Sequence, residues 1–280
     1  MRIVLSAASF ASPASLDDIR RQAAQAGYQH VELTCSPADE ISIPIFDAPA
    51  GPSATNDVGR EGAALFSVRL KCDVIQDIRQ PDSLQRRAAL ECVRTVLNES
   101  ARIGAELLVL EQPAPQPGGN ALGAVRPDDG LGALQTALLE LRFAAEYAGV
   151  PIAIGVGHTR GPLADPIVCR EFLDALATPW VGADVGFAGG GATGAEREWL
   201  LTLGSRIRSV RFSVTAGDAI EPGPPSSSES STPQRLARAL ADARFGGAVV
   251  ITADGDPAAA LQAIRRWFDD GAQPDDTRIS

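Results

Sequence analysis

A single α/β domain, a closed (β/α)8 TIM barrel, is the fold class that the sequence predicts, and three observations predict it. Eight short runs rich in β-branched residues follow one another along the chain. Amphipathic segments with helical periodicity separate most of them. The whole pattern fits in 280 residues, 45% of them hydrophobic, enough for one large core with no further domain required. Strand and helix in alternation imply parallel pairing through crossover helices, and eight units in so modest a chain favour closure over an open sheet.

The expected strands are "RIVLS", "HVELT", "LFSVRLK", "ELLVLE", "PIAIG", "WVGAD", "IRSVRFS" and "AVVIT". Helices are expected over Leu16 to Ala26, Ser83 to Ile103, Leu131 to Ala148, Asp165 to Leu176, Ala195 to Leu203, Pro233 to Ala243 and Pro257 to Phe268. Two stretches break the pattern. Residues 36–62 are rich in Pro, Gly, Ala and Asp, so the second helix should be shortened or missing; residues 214–232, rich in Ser and Pro, should form an irregular loop. Both leave the carboxyl ends of strands, where a barrel builds its site. Residues 271–280 read as a flexible tail.

A formal net charge of −10 sets up a field that repels polyanions, so nucleic acid is not an expected partner. The apolar start "MRIVLSAASF" is too short for a signal peptide or a membrane span, which gives a cytoplasmic expectation without a membrane partner. Cys35, Cys72, Cys92 and Cys169 are widely spaced without a CxxC pair and read as buried, reduced thiols. Lys71 is the one lysine among 25 basic residues.

Alternation along each strand sorts side chains into those facing helices and those facing the barrel axis. In "SVRLK", Val68 and Leu70 should face helices, which turns Arg69 and Lys71 inward. In "SVRFSV" the same logic turns Ser209, Arg211 and Ser213 inward. Around the carboxyl end the inward set is then Ser6, Glu32, Thr34, Arg69, Lys71, Glu111, Gly155, Gly157, Asp184, Arg211, Ser213, Thr252 and Asp254, with His158 on the loop after the fifth strand. Glu32, Glu111 and Asp184 against Arg69, Lys71 and Arg211 would balance in charge. An internal ion-pair network is therefore one expectation, since buried charges must pair; a catalytic site is the other.

The segments "LDDIRRQAAQAGYQHVELT", "ESARIGAELLVLE" and "RFAAEYAGVPIAIG", in this order, resemble the xylose isomerase-like TIM barrels, the superfamily of sugar phosphate isomerases and epimerases. The resemblance implies one divalent metal held by a Glu ending strand five, an Asp ending strand six, a His on strand seven and a Glu ending strand eight. Here those positions carry Gly155, Asp184, Ser209 or Arg211, and Thr252, while "DVGF" puts Phe187 where the superfamily has a histidine after its strand-six aspartate. With one ligand of four retained, no cofactor is expected. A divalent metal in a site rebuilt from Asp184, His158, Glu111 or Asp254 is the disfavoured alternative.

The resemblance therefore implies a sugar isomerase or epimerase working without metal, by acid/base chemistry, on a small polar or anionic sugar-like or keto-acid substrate. Glu32, Glu111, His158, Asp184 and Lys71 are the catalytic candidates, and Arg69, Arg211, Ser213 and Thr252 the substrate-binding ones. A barrel that has lost catalysis and serves as a binding or scaffold protein is the alternative, and a lyase or dehydratase of the same superfamily the second. Superfamily barrels often assemble, so a homo-oligomer is a further implication. "GGGATG", residues 189–194, matches the letters of a dinucleotide loop but follows a sixth strand and does not open a first βαβ unit, which argues against a phosphate cradle.

Overall fold

The computed structural model describes residues 1–10, 15–35, 62–71, 74–79, 84–111, 127–157, 162–187, 195–215 and 232–271. Its strands are β1 (Arg2–Ser6), β2 (His30–Cys35), β3 (Ala64–Lys71), β4 (Leu107–Glu111), β5 (Ile152–Val156), β6 (Val181–Phe187), β7 (Ile207–Thr215) and β8 (Ala248–Asp254). They pair in sequence order, and β1 closes on β8. All neighbours are parallel, so this is a (β/α)8 TIM barrel.

The helices are α1 (Leu16–Gln25), α2 (Val74–Ile78), α3 (Leu84–Arg102), α4 (Pro127–Ala148), α5 (Pro166–Leu176), α6 (Ala195–Leu203), α7 (Thr232–Asp242) and α8 (Pro257–Gly271). Local chemistry starts them as the sequence suggests. Ser15 Oγ accepts from the Asp18 amide at 3.1 Å at the head of α1, and Asp165 accepts from Ile167 and Val168 ahead of Pro166 at the head of α5. Such caps satisfy amides that have no partner inside the helix. Leu16, Ile19 and Ala23 then form the buried face of α1. The short α2 was not anticipated; Ile75 and Ile78 bury it against the core.

Two layers of core follow from strand alternation. Side chains such as Val31, Leu33, Val68, Leu70, Val185, Val210 and Ile251 meet the helices, whereas Val4, Phe66, Leu107, Val109, Ala153 and Val250 fill the lower half of the barrel. Phe66 reaches the interior through an irregularity. The β2–β3 register steps from Val31↔Leu65 to Glu32↔Ser67, leaving Phe66 without a partner on β2. Arg2 lies over its ring at 4.9 Å and pairs with Glu106 at 2.5 Å, capping the amino end.

Three boundaries differ from the expectation. β6 runs on to Phe187 because Val185, Gly186 and Phe187 continue the ladder against Val210, Arg211 and Phe212. Val214 and Thr215 belong to β7, where they pair with Ala253 and Asp254, and Thr232 opens α7, so the expected loop at 214–232 is shorter at both ends. Gly271 ends α8. The rest of the expected irregular segments, 36–61, 216–231 and 272–280, and the glycine run 189–194 lie outside the described residues. No helix of the described residues is long and apolar enough to cross a membrane.

Candidate active site

The upper half of the barrel is filled by charge. Arg69 extends from β3 to donate through Nη2 to Asp184 Oδ2 on β6. Its Nε lies 3.6 Å from Glu32 Oε1, and its Nη1 lies 3.2 Å from Glu111 Oε2. Arg211 from β7 completes a ring: Nη2 donates to Glu32 Oε2 at 2.5 Å and Nε to Asp184 Oδ2 at 3.4 Å. Two hydroxyls finish it, Ser67 donating to Glu32 Oε2 at 3.0 Å and Ser209 to Asp184 Oδ1.

Glycines make room for these long side chains. Asp184 is registered against Gly155 on β5, and Arg211 against Gly186 on β6, so neither neighbour projects a side chain into the space that the guanidinium groups cross. Gly157 follows β5 with a φ of +96°, and a Cβ there would stand 2.6 Å from the Gly186 carbonyl oxygen. The backbone thus closes tightly where the charged side chains open.

Glu32 and Asp184 are 0% exposed and Arg69 is 2% exposed, whereas Arg211 keeps 13% and Glu111 23% of its side-chain surface. At an effective dielectric of about 20, opposite charges about 3 Å apart attract by roughly 5 kcal/mol. Desolvating each ion costs several kcal/mol, so the ring nets little stability but tolerates no missing partner. Burial works to raise the Asp184 pKa, yet Arg69, Arg211 and the Ser209 hydroxyl together outweigh it and hold the carboxyl below its ordinary range. Burial likewise works against the Arg211 charge, and Glu32 and Asp184 overcome it, pushing that pKa up.

The sequence-derived candidates therefore divide. Glu32, Arg69, Glu111, Asp184 and Arg211 come together; Thr34 sits on the same face, with a buried Oγ1 that has no partner. Arg69, expected to bind substrate, is surrounded by three carboxylates and is 2% exposed. Asp184 was expected at the end of a strand but lies three residues inside β6, with its side chain fully buried. Lys71 is exposed at the end of β3, registered against Glu111, and forms no ion pair among the described residues. Ser213 is exposed and Thr252 half-buried. His158 lies outside the described residues. Ser67 was missed, although its place two residues before Arg69 in an apolar run marked it as an inward polar group.

The donor set does not suit a family-type metal. The ligand positions carry Gly155, Thr252 and either Ser209 or Arg211, and the remaining Asp184 is saturated by two guanidinium groups and a hydroxyl. Among the described residues no three His, Cys, Asp or Glu side chains converge to hold an ion. Cys35 and Cys169 are buried and Cys92 half-buried, none of them in a disulfide, with burial pushing Cys169 up to about 12. Cys72 lies outside the described residues.

No family model and no curated protein sequence matches the chain. Solved structures do. A D-tagatose 3-epimerase-like protein superposes with a TM-score of 0.68 at 13% identity, covering 97% of this chain and 98% of the other. The 3-keto-D-glucoside 4-epimerase YcjR from E. coli gives 0.69 at 14% identity over 96% and 99%. The IolI protein, solved with a zinc atom, gives 0.65 at 14% over 97% and 98%. At such identities the likeness speaks for the fold, over the full length of both partners. The chain has the fold of the xylose isomerase-like TIM barrels, to which these proteins belong.

Proposed function

We propose that the protein is a metal-independent isomerase or epimerase for a small polar, sugar-like carbonyl substrate, with Arg211 and Glu111 as the groups that touch it. One observation carries this reading: of the five charged residues that come together in the ring, Arg211 and Glu111 keep the most surface, 13% and 23%. Arg211 is a permanent cation whose remaining surface faces the mouth, suited to stabilising the oxyanion that forms when a carbon beside a carbonyl loses its proton. Glu111 is the carboxylate positioned to take that proton and return it. The proton passes from carbon to a Glu111 carboxylate oxygen and the electron pair moves to the carbonyl oxygen; a proton shifts between the two oxygens of the enediolate, and Glu111 returns its proton to the neighbouring carbon, giving the isomer. Asp184 and Glu32 orient the guanidinium from below.

The charge balance favours an uncharged polyhydroxy substrate over an anion. Arg69 and Arg211 are spent on internal carboxylates, so the ring itself offers an anion no uncommitted cation. The test is solvent exchange. Protein in D2O with EDTA, given neutral ketoses and 2-keto acids, should place deuterium on the carbon next to the carbonyl of a ketose; a panel that shows none in the presence of active, folded protein removes the reading.

A non-catalytic binding barrel is the second reading. It is favoured by the ring itself, in which both buried carboxylates are satisfied by protein groups. Saturable ligand binding without exchange would select it.

A further inference from the structure

Isomerisation through an enediolate needs two proton carriers. Glu111 moves the proton at carbon, but the proton that shifts between the two oxygens needs a group that both gives and takes one. Arg69 and Arg211 stabilise charge and keep their protons, because a guanidinium is not deprotonated in proteins. A lysine ammonium gives a proton and takes it back. The chain has one lysine among 25 basic residues, and that lysine stands at the barrel mouth. Lys71 ends β3 in register with Glu111, which ends β4.

The placement suits the task. Strand alternation puts Lys71 on the inward face with Ser67 and Arg69, both of which reach the interior carboxylates. Neighbouring strands lie about 4.8 Å apart, so the Lys71 and Glu111 side chains leave the same sector of the mouth. They are not joined to each other. Glu111 turns to Arg69 Nη1 at 3.2 Å, while Lys71 is exposed and has no hydrogen bond or ion pair among the described residues. We propose that Lys71 is a second catalytic residue, carrying the proton between the enediolate oxygens, and that the reaction interconverts a ketose and an aldose. The proposal rests on the reading of Glu111 as the base at carbon.

The protons and electrons balance. Glu111 takes a proton from the hydroxyl-bearing carbon beside the ketose carbonyl, and the freed pair forms the carbon–carbon double bond. The carbonyl π pair moves to oxygen, which takes a proton from Lys71 Nζ. The amine left on Lys71 takes the proton of the neighbouring hydroxyl, whose bonding pair becomes the new carbonyl. Glu111 then delivers its proton to the former carbonyl carbon. Both residues end as they began, and nothing is oxidised or reduced outside the substrate. Groups from adjacent strands address one face of the intermediate, so the proton moves between carbons on that face and no centre is inverted.

The test gives wild type, Lys71→Arg and Lys71→Met, each shown to be folded by circular dichroism, neutral ketopentoses and ketohexoses in D2O with EDTA. Nuclear magnetic resonance reads the deuterium in recovered ketose and the aldose formed. Lys71→Arg keeps the positive charge and cannot pass the proton. Wild type should exchange and convert. Both variants should lose aldose formation by about 10²-fold or more, the range for a general acid or base, while exchange into the ketose stays within about tenfold of wild type. A Lys71→Arg protein that converts at the wild-type rate, or variants in which exchange and conversion fall together, overturns the proposal. Wild type that exchanges and forms an epimer but no aldose overturns it too, and leaves Glu111 as the base. Wild type that shows no exchange removes the Glu111 reading and this proposal with it, so the two failures are told apart.

Discussion

Arg211 reaches back along the barrel to Asp184: its Cα is registered with Gly186, two residues nearer the mouth, yet its Nε donates to Asp184 Oδ2 at 3.4 Å. That backward reach holds the guanidinium on two buried carboxylates while 13% of the side chain stays exposed.

Arg69 has the opposite position, entirely inside. Arg69→Met removes the partner of Asp184, Glu32 and Glu111 together and should cost about 3–5 kcal/mol, the range for breaking a buried pair from one side. Denaturant unfolding measures it. Arg69→Met/Asp184→Asn should be less destabilised than the sum of the single variants, because each removes the charge that the other strands.

The ring also sets an acid limit. The Asp184 carboxyl titrates lower in the folded protein than in the unfolded chain, so its contribution is fully present above the ordinary carboxylate range and is lost as pH falls from there through the folded value. The stability difference between wild type and Asp184→Asn should therefore be flat from neutral pH to about pH 5 and shrink below about pH 4. A difference that fell away between pH 8 and 6 would point to another group.

Two glycines with positive φ separate strain from crowding. At Gly149, φ is +69° and a Cβ meets nothing within 4 Å; at Gly157, φ is +96° and a Cβ would press on the Gly186 oxygen at 2.6 Å. Gly149→Ala should cost about 1 kcal/mol from backbone conformation alone. Gly157→Ala should cost clearly more, about 2–4 kcal/mol, since the β5–β6 contact beside Asp184 must also shift. Thermal unfolding of the two variants gives the comparison.

The strands and the inward faces were legible because alternation is strict: "SVRLK" and "SVRFSV" can be sorted only one way if Val and Leu face helices, and Arg69 and Arg211 do point inward. Depth was not legible. "WVGAD" ends in a polar residue and reads as a strand that stops at Asp184, whereas pairing of Phe187 with Phe212 carries it three residues further and sinks the aspartate out of reach. Nor did composition reveal the irregularities at Phe66 and Arg208, where register with the neighbouring strand skips a residue. The equal count of acids and bases foretold a network, but Lys71, one turn of alternation beyond Arg69, lies at the rim with its side chain exposed, so three acids share two guanidinium groups.

The central claim is that Glu111 moves a proton at carbon beside the Arg211 guanidinium, and deuterium incorporation into a ketose by wild type and Glu111→Gln in EDTA tests it most directly. The account predicts exchange by wild type and a loss of about 10²–10⁴-fold in the variant, the range for a general base, in protein that circular dichroism shows to be folded, even though loss of the Glu111 charge from Arg69 lowers the unfolding midpoint. Exchange that survives in Glu111→Gln, or that wild type never shows, contradicts it.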